Sequence, residues 1–298
     1  MQQRAVIVLV VSGCLLSLPC SADKPAQSKT ERWEIRQLRQ WPSPQAHQGV
    51  AVDKQAIFAI SNREIAQLDK ETGDTLRVWR DGKETLDAGK TPATARSLKH
   101  LNSGVVIDGK LYCAHSTWPS NPAVNTLEVW DAKSLEHLES LPFPGTEGAI
   151  NWVDRHNGQW WIVFASYGSQ AGRTRLVRYD DQWREQQRWL LPESVLKRMA
   201  PNSNSGGVWG PNEKLYLTGH DHLEVYVMEL PQHAAASGET RATELVHRAT
   251  LPAPFAGQGI ARDRSDVNVL YGIRRKDKLV MSARLVHAAP PGQSIPSP

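Results

Sequence analysis

One short phrase recurs five times in this 298-residue chain, and it limits the fold more than any other feature. It is clearest as Asn102-Ser103-Gly104-Val105 and Asn204-Ser205-Gly206. Looser copies are His47-Gln48-Gly49-Val50, Thr146-Glu147-Gly148-Ala149 and Gly257-Gln258-Gly259-Ile260. Each copy places polar or small residues before a Gly and then opens a short apolar run. Repetition of one supersecondary unit at intervals of tens of residues is the mark of a repeat architecture.

The runs between the copies are strands of roughly five to six residues joined by turns. In the first unit these are Val50 to Val52, Ile57 to Ile60, Glu64 to Asp69 and Thr75 to Trp79. The turn Asp69-Lys70-Glu71-Thr72-Gly73 carries the Asp and Gly that a tight reversal needs. Asp131-Ala132-Lys133-Ser134 takes the same place in the second unit. Units one to four each supply four strands, whereas the fifth supplies three: Gly259 to Ala261, Val269 to Ile273 and Lys278 to Leu285. A strand at Trp33 to Trp41 stands alone before the first phrase. Radial sheets must close on themselves to hide their ends, and this strand completes the fifth sheet. The expected fold is therefore all-β, a five-bladed β-propeller closed by an N-terminal strand. A β-sandwich would leave the repeat unexplained. Glu193 to Met199, stopped by Pro201, is the one helix expected after residue 22.

The N-terminus has a separate character. A basic start at Arg4, an apolar run from Ala5 to Leu18 and small residues before Asp23 fit a signal peptide at residues 1–22, cleaved after Ala22. The run is short for a transmembrane span. Lipoprotein processing at Cys14 is the alternative. Residues 23–31 read as a disordered lead, 32–286 as a single propeller domain and 287–298 as a Pro-rich disordered tail. Two further segments lack strand patterning: the charged stretch 80–99, read as a long surface loop, and the Ala/Ser-rich stretch 232–242. The expected location is periplasmic or secreted. Loss of the leader removes Arg4, leaving 34 basic against 31 acidic residues, a charge of +3. So small and dispersed an excess excludes a nucleic-acid role. Cys113 is then the remaining cysteine, so no internal disulfide forms and a buried, inert thiol is expected. A monomer is expected.

The inner strand of a propeller blade lines the central channel, so the residue before each Gly should lie near its mouth. These are Gln48, Ser103, Glu147, Ser205 and Gln258, preceded by His47, Asn102, Thr146 and Asn204. Such a ring either satisfies itself with water or converges on a ligand or cation. Glu147 is its single carboxylate. With the amide oxygens of Asn102, Asn151 and Asn204 it has the hard-donor character that suits Ca²⁺ or Mg²⁺, and it is also the candidate general base. A second set of candidates follows the second strands: His115, His220-Asp221-His222 and Arg274, with His100 just before Asn102. A His-x-His pair either shares one strand face as a metal pair or flanks a turn and bonds backbone. Trp118, in a loop, is a candidate for stacking on a ligand. Trp130, Trp160, Trp161 and Trp189 lie in strands and should pack between blades, and core packing is favoured for Trp209. Nucleophile elbows, phosphate loops and dinucleotide fingerprints are absent from the sequence.

The phrases Leu127-Glu128-Val129-Trp130-Asp131-Ala132-Lys133-Ser134-Leu135 and Leu68-Asp69-Lys70-Glu71-Thr72-Gly73 resemble those of YVTN/quinoprotein-like propellers. The His220-Asp221 and Gly257-Gln258-Gly259-Ile260-Ala261 phrases resemble a group of secreted bacterial propellers. The likeness extends at fold level to the related SMP-30/gluconolactonase-like group. There a Glu, Asn and Asp set at the channel mouth holds a divalent metal that activates water. The resemblance implies that Glu147, Asn102 and Asn204 play such parts by type, although that group has six blades and no Asp is assigned here. Three functional expectations follow: an exported propeller binding a small polar ligand at the channel mouth, a divalent-metal-assisted hydrolase or lactonase, and a protein-interaction scaffold using the 80–99 loop. The ligand-binding candidates are His47, His100, His115, Trp118, His220, Asp221, Gln258 and Arg274.

Overall fold

The computed structural model describes residues 33–82, 98–120, 123–144, 146–232 and 243–287. The leader and lead, most of the 80–99 and 232–242 stretches, and the tail lie outside these residues. Five antiparallel sheets form five blades. Blade one is β2 (Gly49–Val52), β3 (Ala56–Ile60), β4 (Glu64–Asp69) and β5 (Thr75–Arg80). Blade two is β6 (His100–Ile107), β7 (Lys110–Ser116), β8 (Asn125–Asp131) and β9 (His137–Pro142). Blade three is β10 (Ala149–His156), β11 (Gln159–Ala165), β12 (Arg175–Tyr179) and β13 (Glu185–Leu190). Blade four is β14 (Gly206–Trp209), β15 (Leu215–Thr218), β16 (Glu224–Glu229) and β18 (Val246–Pro252). Blade five is β19 (Ala261–Arg262), β20 (Val269–Arg274), β21 (Leu279–His287) and, outermost, β1 (Trp33–Pro42).

The closure expected from the strand count is thus realised. β1 pairs antiparallel with β21 from Trp33↔His287 to Pro42↔Leu279, joining the two ends of the chain in one sheet. The ring is held by five apolar cores, one at each junction between neighbouring blades. Trp79 of blade one meets Trp130 of blade two edge to face at 5.0 Å. Trp160 of blade three joins Val105 and Leu127 of blade two. Trp161, Trp189 and Trp209 pack together between blades three and four. Cys113 is buried in the first of these cores, and burial pushes its thiol well above its usual pKa. Each core removes aromatic and branched surface from water, the main favourable term in folding. Blades five and one are also tied by Lys70 Nζ, 2.7 Å from Asp263 Oδ2, with both side chains nearly buried.

The repeated turns are built as their residue types require. The Asp69 carboxylate accepts N–H bonds from Glu71 and Thr72, both at 2.8 Å. Asp131 does the same for Lys133 and Ser134. These backbone bonds to the ionised form hold both carboxyls below their usual pKa. Gly73 takes φ +81° at the end of the first turn, and Leu135 is held at φ +57° in the second.

Two details depart from the strand reading. Thr243–Glu244 forms a short strand, β17, parallel to β13 through Trp189↔Thr243. An edge strand leaves backbone groups unpaired, and this segment covers them. The inner strand of blade five is Ala261–Arg262, beginning two residues later than expected. The reason is that Gln258 and Gly259 donate their N–H groups to Gly219 and Gln48 of the neighbouring blades. α1 (Glu193–Met199) is where the spacing placed it and caps the blade three–four core with Val195, Leu196 and Met199. The described residues also contain 3-10 turns at Gly168–Arg173 and Pro211–Glu213.

Candidate functional site

Four of the five residues expected around the axis are there. Gln48, Ser103, Ser205 and Gln258 are all buried. They do not line an open channel, because the inner strands meet. A methyl group on Gly49 would lie 3.0 Å from the Ser103 Cα and 3.2 Å from the Gly259 Cα. Polar groups at this level bond each other across the blades. Gly259 N–H donates to Gln48 O at 2.9 Å, and Ser103 Oγ donates to Ile260 O at 3.4 Å. Asn102 Nδ2 donates to Asn151 Oδ1 at 3.4 Å, and Asn151 Nδ2 donates to Asn204 O at 2.6 Å. Thr218 Oγ1 donates to Gln258 O at 2.5 Å. The ring is a set of staples that closes the axis, which answers the demand that buried polar groups be paired. Gln258 Nε2 is the exception and finds no partner among the described residues.

Glu147 departs from its expected place. It is exposed and faces Arg173 Nη1 at 3.6 Å. Gly148, at φ +86°, bends the chain just before β10, and a bulge between Ile150 and Trp152 shifts the register. Asn151 enters the ring in its stead. A neutral amide can share bonds with its neighbours there, whereas a lone carboxylate would be costly to bury. Thr146, one step earlier, bonds Phe143 O and Asn125. Asn204 commits its whole amide, accepting from Trp152 Nε1 at 2.6 Å and donating to Gly206 O and Thr218 O. Among the described residues no group of three His, Cys, Asp or Glu side chains is arranged to hold a metal ion.

Above the ring, at the N-terminal ends of the inner strands, the structure assembles a different site. Arg275, just past β20, reaches from blade five to both neighbours. Its Nε donates to His47 Nε2 of blade one at 3.0 Å. Its Nη1 lies 3.2 Å from His220 Nε2 of blade four. His220 Nδ1 lies 2.7 Å from Asp221 Oδ1, and Asn202 donates to the other oxygen of that carboxylate. Because arginine only donates, both imidazole Nε2 atoms accept. The proton of His220 therefore sits on Nδ1 and points at Asp221. The His47 Nδ1 finds no partner among the described residues.

Burial lowers the pKa of His47 to about 4, helped by the positive charges of Arg275 and Lys278. Burial also takes His100 to about 4, with His115 and Arg275 adding to the effect. Both are neutral at pH 7. Trp118 is exposed and lies between His100, at 6.2 Å, and Tyr167 of blade three, at 5.0 Å. Tyr167 OH accepts from Asn151 at 3.0 Å, which links this face to the ring. All five blades thus contribute: His47, His100 with Trp118, Tyr167, His220 and Arg275.

Two of the expected residues point elsewhere. His115 is buried, with Nδ1 2.8 Å from Thr126 Oγ1 and Nε2 accepting from Lys99 N–H at 3.1 Å. It is part of an internal chain in which Thr126 donates to the buried Glu128. Arg274 turns outward, donating to Pro254 O and facing Asp277 at 3.7 Å. Its neighbour Arg275 takes the place at the mouth. Sequence reasoning missed Arg275 and Tyr167, whereas Asn151 was among its candidate amide donors with Asn102 and Asn204. The signal for Arg275 was the Arg274-Arg275 pair at a strand end, where alternation sends successive side chains to opposite sides.

No known protein-family profile matches the chain, and no characterised protein matches it by sequence. Among solved structures, Kuenenia stuttgartiensis hydrazine synthase is similar over 84% of this chain and 72% of that one. The identity is 10% and the TM-score 0.43, a likeness too low to bear on the site. The fold rests on the five sheets themselves.

Proposed function

We propose that this is an exported binding propeller whose arginine-and-histidine mouth takes a small polar ligand with an anionic group. The observation that carries the reading is Arg275. Its guanidinium is held by two imidazole nitrogens and has no carboxylate partner among the described residues. Neutral His47 and His100 beside it offer hydrogen bonds without adding repulsion between cations. An incoming carboxylate or similar group would meet the free N–H groups of Arg275 in the fork geometry that such anions prefer. Trp118 and Tyr167 provide an aromatic wall for the remainder of the ligand. Binding fits the geometry better than catalysis, because a general base needs a free lone pair. The Nε2 lone pairs of His47 and His220 are both engaged by Arg275. Export rests on the leader-like composition of residues 1–22.

The test is a thermal-shift screen with small anionic compounds, followed by calorimetry on any hit. Arg275→Gln should weaken binding about 10- to 100-fold, the worth of a charge-assisted pair. Glu147→Gln should leave it unchanged. Equal affinity in Arg275→Gln and the wild type would defeat the reading.

A further inference from the structure

The polar ring divides the axis, and its far side holds a second candidate site that the mouth does not share. Beneath the ring, toward the C-terminal ends of the inner strands, a small axial cavity of about 10 Å³ remains. That is close to the space of one water centre. Its wall takes an apolar residue from every blade: Val52, Val105, Val153, Val208 and Ile260. Three charged groups border it, namely Asp154, Arg262 and Arg264.

Asp154 is buried, and both of its oxygens are used. Oδ1 accepts from Arg264 Nη2 at 2.7 Å and from Arg155 N–H at 2.8 Å, and Oδ2 accepts from Trp209 N–H at 2.8 Å. Arg264 is therefore the paired cation. Arg262 has no carboxylate partner of this kind among the described residues. Its Nε is buried and finds no hydrogen-bond partner among the described residues. Burial lowers the Arg262 pKa, and Asp154 offsets part of that effect. Leaving a buried charged donor unmatched is costly. The three charges at the cavity wall sum to +1, and Glu213 outside it opposes part of that charge, so at most one negative charge is needed to balance them.

We infer that the base of the axis is a binding site for a small monoanionic carboxylate, held by Arg262 and walled by the apolar ends of the inner strands. The single charge and the planar fork of Arg262 select a carboxylate. A phosphate dianion would leave an excess negative charge facing Asp154. The cavity takes one carboxylate oxygen in the space of its single water centre, with the rest of the group and its substituent directed outward to solvent. This site is separate from the mouth and does not depend on it.

The test is a titration of isotope-labelled protein with sodium acetate at constant ionic strength, set by chloride. The Trp209 backbone amide, which donates to Asp154, is followed by NMR. Saturable movement of this resonance is expected. Arg262→Gln should weaken it at least about tenfold, and Arg262→Lys, which keeps the charge without the fork, by a smaller factor. Arg275→Gln at the opposite mouth should leave it unchanged. Failure of acetate to saturate the signal, or equal affinity in Arg262→Gln, would overturn the inference. Tighter binding of phosphate than of acetate would overturn the carboxylate assignment.

Discussion

Along the chain Asn204 and Glu147 look alike as polar members of one ring, and burial separates them. Asn204→Ala would strand the buried indole N–H of Trp152 and two backbone carbonyls. A loss of about 3 kcal/mol in urea unfolding is expected. Glu147→Gln removes only an exposed pair with Arg173 and should change stability by less than about 0.5 kcal/mol. The histidines make a prediction with a definite sign. His47 and His100 have pKa values lowered from 6.5 to about 4. Between those values the unfolded chain binds protons that the folded chain refuses, so acid favours unfolding. The stability they contribute is complete above about pH 6.5 and is lost as pH falls toward about 4. Urea midpoints measured across this range should fall on acidification, and His100→Gln should make the slope shallower. An identical slope in that variant would show that His100 does not carry the effect.

Between elements, the contact that matters most is the one between blades five and one, where the ring is sealed. β1 supplies the outer strand, and the Lys70–Asp263 pair joins the turn after β4 to the segment after β19. Removing one partner of a nearly buried pair leaves an uncompensated charge, so Lys70→Met should cost about 3 kcal/mol. Adding Asp263→Asn should recover much of that loss, and equilibrium unfolding of the single and double variants measures the coupling. β17 shows what pattern reading does not reach at this scale. Two residues, Thr243 and Glu244, have no periodicity to read. They are a strand because β13 presents an open edge beside them.

At the scale of the whole molecule, every blade contributes to two of the five cores, so none can open without exposing both. An open solenoid unfolds in pieces because its end repeats have one neighbour, whereas a closed ring has no end repeat. Far-UV circular dichroism and tryptophan fluorescence should therefore report one coincident transition. Separate midpoints would show that blades come apart independently. The sequence by itself determined the blade count, the turns and the seal by the N-terminal strand. Alternation and turn chemistry are local properties, and an unpaired strand count has one economical solution. It also named His47, His100, Trp118, His220 and Asp221, since the ends of corresponding strands converge by topology alone. Only the tertiary structure decided which polar residues are staples and which remain available. Asn102, Ser103, Asn204 and His115 look no different from His47 or His220 along the chain. Their partners come from other blades or other strands, and burial is set by what packs above them. The replacement of Glu147 by Asn151, of Arg274 by Arg275, and the unmatched Nε of Arg262 each turn on a bulge or a one-residue step. A shift of one residue along a strand reverses the side to which a side chain points, and periodicity cannot fix it.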